Sequence, residues 1–216
     1  MSQQTIYGIW DWQDDERNND FFYGAFTKER KLANAKNLPE DYRKIKLLEQ
    51  KIEQGYSSEG YGVVTDNPIT WFPDKIADED DYSHVGWYFD LPTQHERIID
   101  NPMIREGKVL VISLIPASSR CGIKSHSSMY ILDACNGGRL SEPVITVEDE
   151  IVEIEPLNPN NPKLPPSVII FDTVVKPPAF IHNNDKDKMI FGDLGSDNNV
   201  PNIEINSEQG RYYWKY

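Results

Sequence analysis

The sequence predicts an all-β protein. Three observations carry that expectation: β-branched and aromatic residues gather in short runs, the runs alternate or are continuously apolar, and each stops at a Gly, Pro, Asn or Asp turn. Thr5-Ile6-Tyr7-Gly8-Ile9-Trp10-Asp11 opens the series and gives way to a polar tract, Asp11 to Asp20. Gly60 to Thr65 is a second run, ended by Asp66-Asn67-Pro68. Met103-Ile104 and Val109-Leu110-Val111-Ile112 flank Arg105-Glu106-Gly107-Lys108, the pattern of a tight hairpin in which Gly107 supplies a positive φ. Met129 to Leu132 reads as a buried strand before the turn Asp133 to Gly138. Val168 to Phe171, Ala179 to His182, Met189 to Gly192, Asn202 to Asn206 and Arg211 to Tyr216 complete the strands.

One short helix competes with this pattern. Asn37 suits its cap, Pro39 its first turn, and Glu40-Asp41 the dipole there. Tyr42, Ile45, Leu48 and Ile52 recur at helical spacing, but Leu48, Gln50 and Ile52 equally line one face of a strand. The helix is therefore expected to reach Lys46, with Leu47 to Gln54 open to either reading. Residues 12–46 form a loop-and-helix insertion, and 156–166, holding five prolines, a second long loop.

Composition narrows the function classes. The chain has 216 residues, with 22 Lys and Arg against 35 Asp and Glu, a net charge of −13. So acidic a chain repels phosphate backbones, which argues against a nucleic-acid surface. Aromatics at 11% argue against disorder. Val109 to Ala117, the longest uncharged apolar stretch, is too short for a membrane span of ~20 residues. No signal peptide is visible after Met1. Cys121 and Cys135 flank a predicted strand, so a disulfide between them requires the intervening loop to fold back along it.

The strands repeat. Pro102-Met103-Ile104, a turn, then Lys108-Val109-Leu110-Val111 has a counterpart in Pro178-Ala179-Phe180-Ile181, a turn, then Lys188-Met189-Ile190-Phe191. Recurrent short hairpins are the trace of propeller blades, at ~40–50 residues each. Met129 to Asp133, followed by Gly137-Gly138-Arg139-Leu140, resembles the strand–Asp–turn–Gly–strand unit of quinoprotein-type propellers. The length allows a partial propeller of about three to four blades of antiparallel strands.

Between Gly86 and Leu140 the order of motifs becomes specific. Gly86-Trp87-Tyr88-Phe89-Asp90-Leu91-Pro92, Glu96-Arg97, Asn101-Pro102, Gly107-Lys108, Ser113 to Pro116, Cys121, Asp133 and Gly137-Gly138 follow one another. This succession resembles the C-terminal β-propeller of the PilC/PilY family of type IV pilus tip-associated adhesins. Trp10-Asp11 upstream and Gly210-Arg211-Tyr212-Tyr213-Trp214 at the end agree with it, and Leu48 to Ile52 resembles a family strand. The resemblance implies a non-enzymatic role in pilus assembly, extension and surface attachment. Its implied partners are minor pilins or other pilus components, host surface receptors and the remainder of the propeller. It implies export to the cell surface, and calcium in the full-length family protein. Because family members are larger, residues 1–216 are expected to be the C-terminal portion of a longer protein, or the product of a truncated gene.

Candidate chemistry is sparse. Asn183, Asp185 and Asp187 keep the alternate spacing of a calcium loop, but Lys186 and Lys188 intrude and Phe191 stands where a carboxylate belongs, so a hairpin tip is the expected reading. No metal site, cofactor site or catalytic residue is assigned. His84, His95, His126 and His182 are scattered, and His126 beside Ser125, Ser127, Ser128 and Cys121 lacks an orienting third group. Trp87 is expected in the core, with its indole N–H finding a partner at the rim. Glu96 and Arg97 are expected to pair at a blade edge. The competing reading is a quinoprotein-like propeller enzyme or a lectin-like module.

Overall fold

A computed structural model describes residues 3–9, 45–55, 57, 60–71, 83–117, 124–147, 150–183, 186–191 and 203–206. The described residues form fifteen strands and no helix. In chain order they are β1 (Thr5–Ile9), β2 (Ile45–Gln50), β3 (Ile52–Gln54), β4 (Tyr61–Val64), β5 (Ser83–Asp90), β6 (Arg97–Ile98), β7 (Met103–Arg105) and β8 (Lys108–Ile115). There follow β9 (His126–Asp133), β10 (Ile145–Val147), β11 (Glu150–Ile151), β12 (Val168–Phe171), β13 (Ala179–Asn183), β14 (Lys186–Ile190) and β15 (Ile203–Asn206).

The strands make three sheets. Their orders are β1-β5-β2, then β3-β4-β12-β9-β8-β6 with β7 also on β8, then β11-β10-β15-β14-β13. The seven-stranded sheet lies between the other two, and its sequence shows why. Along β8, Leu110 and Ile112 enter one apolar cluster and Val109 and Val111 the other. Along β9, Met129 and Ile131 divide from Tyr130 and Leu132 in the same way. Successive strand side chains point to opposite faces, so a strand buried on both must read as an unbroken apolar run. One face packs on Ile145 and Met189 of the five-stranded sheet, the other on Ile6, Leu48, Trp87 and Phe89 of the three-stranded sheet. Stacked sheets with no closed barrel match the expected partial, propeller-like all-β fold.

Several local expectations change. Ile45 and Lys46, expected to end the helix, lie in β2, which runs parallel to β5. Leu47, Leu48 and Gln50 are all buried, and such burial on both faces favours a strand over a one-sided helix. Positions 37–44 lie outside the described residues, as do Trp10, Asp11, Cys121, Gly210, Arg211 and Trp214. This parallel pair departs from the antiparallel pairing of every other strand. The sheets hold three, five and seven strands, not blades of equal size. Arg139 and Leu140 form no strand after the glycine pair; Arg139 N–H donates instead to the Thr65 carbonyl at 3.1 Å.

The two repeated hairpins both form. In β7–β8, Arg105 pairs with Lys108 around Glu106 and Gly107, whose φ values of 47° and 72° give the doubly left-handed turn that matches strand twist. In β13–β14, Asn183 pairs with Lys186, and the ladder has five paired positions where β7–β8 has three. Lys188 consequently sits opposite Ile181 inside the ladder, not at the turn.

Candidate functional site

Trp87 of β5 and the Asp133 to Gly138 turn, two parts of the motif series, meet at the Trp87 indole. Trp87 is 2% exposed and donates from Nε1 to the Ala134 carbonyl at 3.1 Å, as expected of a core anchor with a partner at the rim. Gly8 of β1 and Gly137 of the turn after β9 each press backbone against the ring, and a Cβ at either would overlap it. Gly137 also has φ 72°. Asp133 closes the turn: its Oδ1 accepts from Cys135 N at 2.7 Å and Asn136 N at 3.3 Å, and its carbonyl accepts from Gly137 N at 2.8 Å. Gly138 packs against the Thr65 carbonyl. Buried Gln50 ties the parts together, accepting from Thr65 Oγ1 (2.6 Å) and Asn67 N (3.1 Å) and donating to the Asn67 and Asn136 carbonyls, both at 3.0 Å. All four of its hydrogen-bonding positions are filled.

Glu96 corrects the expected edge ion pair. It is 0% exposed, and its Oε1 accepts from Ser113 Oγ and Tyr130 OH, both at 2.5 Å. Its Oε2 accepts from Thr93 N at 3.1 Å, while Glu96 N donates to the Thr93 carbonyl at 3.2 Å. The carboxylate thus closes its own turn, in which His95 takes φ 67°, and fastens it to the central sheet. Arg97 donates to the Glu96 carbonyl at 2.7 Å, not to the carboxylate. The signal for this cluster lay in the polar interruptions Ser113 and Tyr130, which share one face of adjacent strands.

Arg105 links the two repeated hairpins. Its guanidinium pairs with Asp187, which is 2% exposed, and lies 4.8 Å from the centre of the Phe180 ring. The Asp187 hydrogen bond raises the Arg105 pKa above its ordinary value. Asp187 therefore serves an ion pair where the sequence placed it at calcium-loop spacing; Asn184 and Asp185 lie outside the described residues.

The remaining motif residues have plainer places. Asp90 accepts from Thr5 Oγ1 at 2.5 Å, and Leu91 is in the core. Pro92, Pro102, Gly107 and Pro116 are exposed at strand ends and turns. Cys135 is an exposed free thiol whose pKa is raised, first by partial desolvation and then by Asp133. Among the described residues no three His, Cys, Asp or Glu side chains group as a metal site. The proline-rich loop is pinned at its base by paired hydrogen bonds between Ile154 and Leu164, both at 2.8 Å, and turns at Asn158 to Asn161. Leu157 stands 82% exposed on it.

The crystal structure of the Pseudomonas aeruginosa PilY1 C-terminal domain superposes on 94% of this chain with a TM-score of 0.59 and 17% identity. The chain has a PilY1-like fold. It spans 37% of the length of the PilY1 domain chain. No family model matches the sequence, and no curated protein does either. In this PilY1-like unit the Trp87 junction and the Glu96 cluster turn their polar groups inward, onto other parts of the same chain. No described helix is long and apolar enough to cross a membrane.

Proposed function

We propose that this chain is a non-enzymatic component of a type IV pilus tip assembly, acting in pilus biogenesis and surface attachment. The observation that carries the reading is its PilY1-like fold over 94% of its length. Its internal architecture supports a mechanical role. Trp87 and Arg105 each tie an outer sheet to the central one, and Glu96 fastens the turn between β5 and β6 to the central sheet, so load applied to an exposed loop is spread over two apolar interfaces. The proline-rich loop, anchored at Ile154 and Leu164, is a pre-ordered contact element, and order before binding lowers the entropy lost on docking. Minor pilins and host receptors are the proposed partners, the remainder of a longer propeller the proposed scaffold, and the cell surface the proposed location. Calcium is proposed for the longer protein, outside the residues described.

The test is co-purification of the full chain with minor pilins, with and without calcium, alongside a quinone-dependent dye-reduction assay. Pilin association without turnover supports the reading. Dye reduction, or no association under either condition, would overturn it.

A further inference from the structure

An open stack of sheets exposes strand edges, and edges with unpaired backbone groups invite another strand unless they are blunted. The three sheets end at β1 and β2, at β3 and at β6 with the three-residue β7 beside it, and at β11 and β13. Most of these ends are defended. β2 carries Lys46, Glu49 and a register shift; β3 has three residues, Glu53 and another shift. β6 and β11 have two residues each and carry Arg97 and Glu150. β1 is uncharged and pairs with β5 through five regular positions, and its Thr5 hydroxyl is tied to Asp90.

β13 is the other uncharged end. It is Ala179-Phe180-Ile181-His182-Asn183, with no acidic residue, lysine or arginine, and it pairs with β14 through five regular positions without a bulge. Its other edge has no strand among the described residues. Ile181 is 52% exposed. The preceding Pro177 and Pro178 lack N–H groups and so bound any added ladder at Ala179.

We propose that β13 pairs antiparallel with β13 of a second copy of this chain, about a two-fold axis through Ile181. The sequence is self-complementary in that register. Ile181 faces the same residue of the other copy, Phe180 faces its His182, and Ala179 its Asn183. No like charges meet, and an apolar cross-strand pair replaces two exposed isoleucines. The two five-stranded sheets become one continuous sheet. A net charge of −13 on each copy opposes association at long range, and salt screens that repulsion over a Debye length of ~8 Å at physiological strength. The inference goes beyond the pilus reading and does not rest on it.

Sedimentation velocity of the full chain over a wide concentration range tests it. The expected result is a monomer–dimer equilibrium with a dissociation constant on the order of 10 μM, tighter in high salt. Ile181→Lys, which brings two ammonium groups face to face, is expected to weaken the dimer by ~30-fold or more. Ile190→Lys, on the same sheet but one strand inward, is expected to leave it unchanged. A Cys121→Ser, Cys135→Ser, Ile181→Cys chain, whose one thiol is at position 181, keeps the test valid should the lysine variant misfold: mild oxidation is expected to trap a disulfide-linked dimer. A chain that stays monomeric at every concentration overturns the proposal. So does a dimer indifferent to a folded Ile181→Lys, or one lost equally in Ile190→Lys.

Discussion

Glu96 holds a carboxylate where no solvent reaches it, and its acceptors are filled by one backbone and two side-chain donors. Truncating it strands the Ser113 and Tyr130 hydroxyls in the core. Glu96→Ala is therefore expected to lower unfolding free energy by ~3 kcal/mol, and Glu96→Gln, which keeps one acceptor oxygen, by about half as much. Urea denaturation measures both. The glycines separate space from backbone conformation. Gly107 and Gly137 share φ 72°, but a Cβ at Gly107 meets nothing within 4 Å and one at Gly137 collides with Trp87. Gly107→Ala should cost ~1 kcal/mol by denaturation, the left-handed penalty alone. Gly137→Ala should cost more than ~3 kcal/mol, because the indole must also move. Equal losses would contradict the packing of that ring. Cys135 offers a reactivity test. Its raised pKa keeps the thiol protonated at neutral pH, so alkylation should be slower than for a free cysteine and accelerate as pH rises past the usual thiol range. Asp133→Asn removes the second contribution, and its alkylation rate at mildly alkaline pH should increase.

At the scale of elements, the Arg105–Asp187 pair joins the β7–β8 hairpin of the central sheet to β14 of its neighbour. Arg105→Met is expected to destabilise by ~3 kcal/mol in the same denaturation assay, since it withdraws the guanidinium from a buried carboxylate. A folded Arg105→Met chain as stable as the parent would overturn that assignment. Both hairpins were legible because proline, apolar run and turn recur in order. The link between them was not: Arg105 and Asp187 are eighty-two residues apart, and nothing local in either segment marks a partner at that separation. Gln50 escaped for a related reason. As a strand it shares a face with Leu48 and Ile52, but nothing local marks its partners Thr65, Asn67 and Asn136, which the chain brings back from a distance. The helix reading at Ile45 and Lys46 failed because Leu47 and Leu48 are adjacent and both buried, a pattern that three- and four-residue spacing counts only in part.

For the whole molecule, the central sheet should be the most protected part. Amide hydrogen exchange is expected to be slowest in β8 and β9, whose eight-residue pairing is sheltered on both faces, and fast at Leu157 to Lys163. Uniformly fast exchange would mean that the stack does not form in solution. The all-β class was visible in the sequence because doubly buried strands leave continuous apolar runs, as at Val109 to Ile112 and Met129 to Leu132. The number of strands per sheet was not visible, because it depends on which distant edges meet. Gly62 of β4 pairs with Val168 of β12, and β12 in turn pairs with β9. A nascent chain leaving the ribosome cannot close this sheet until Phe171 has emerged. Until then β3 and β4 wait with one flank unclaimed, and the growing polypeptide depends on chaperones, or on speed, to stay out of aggregates.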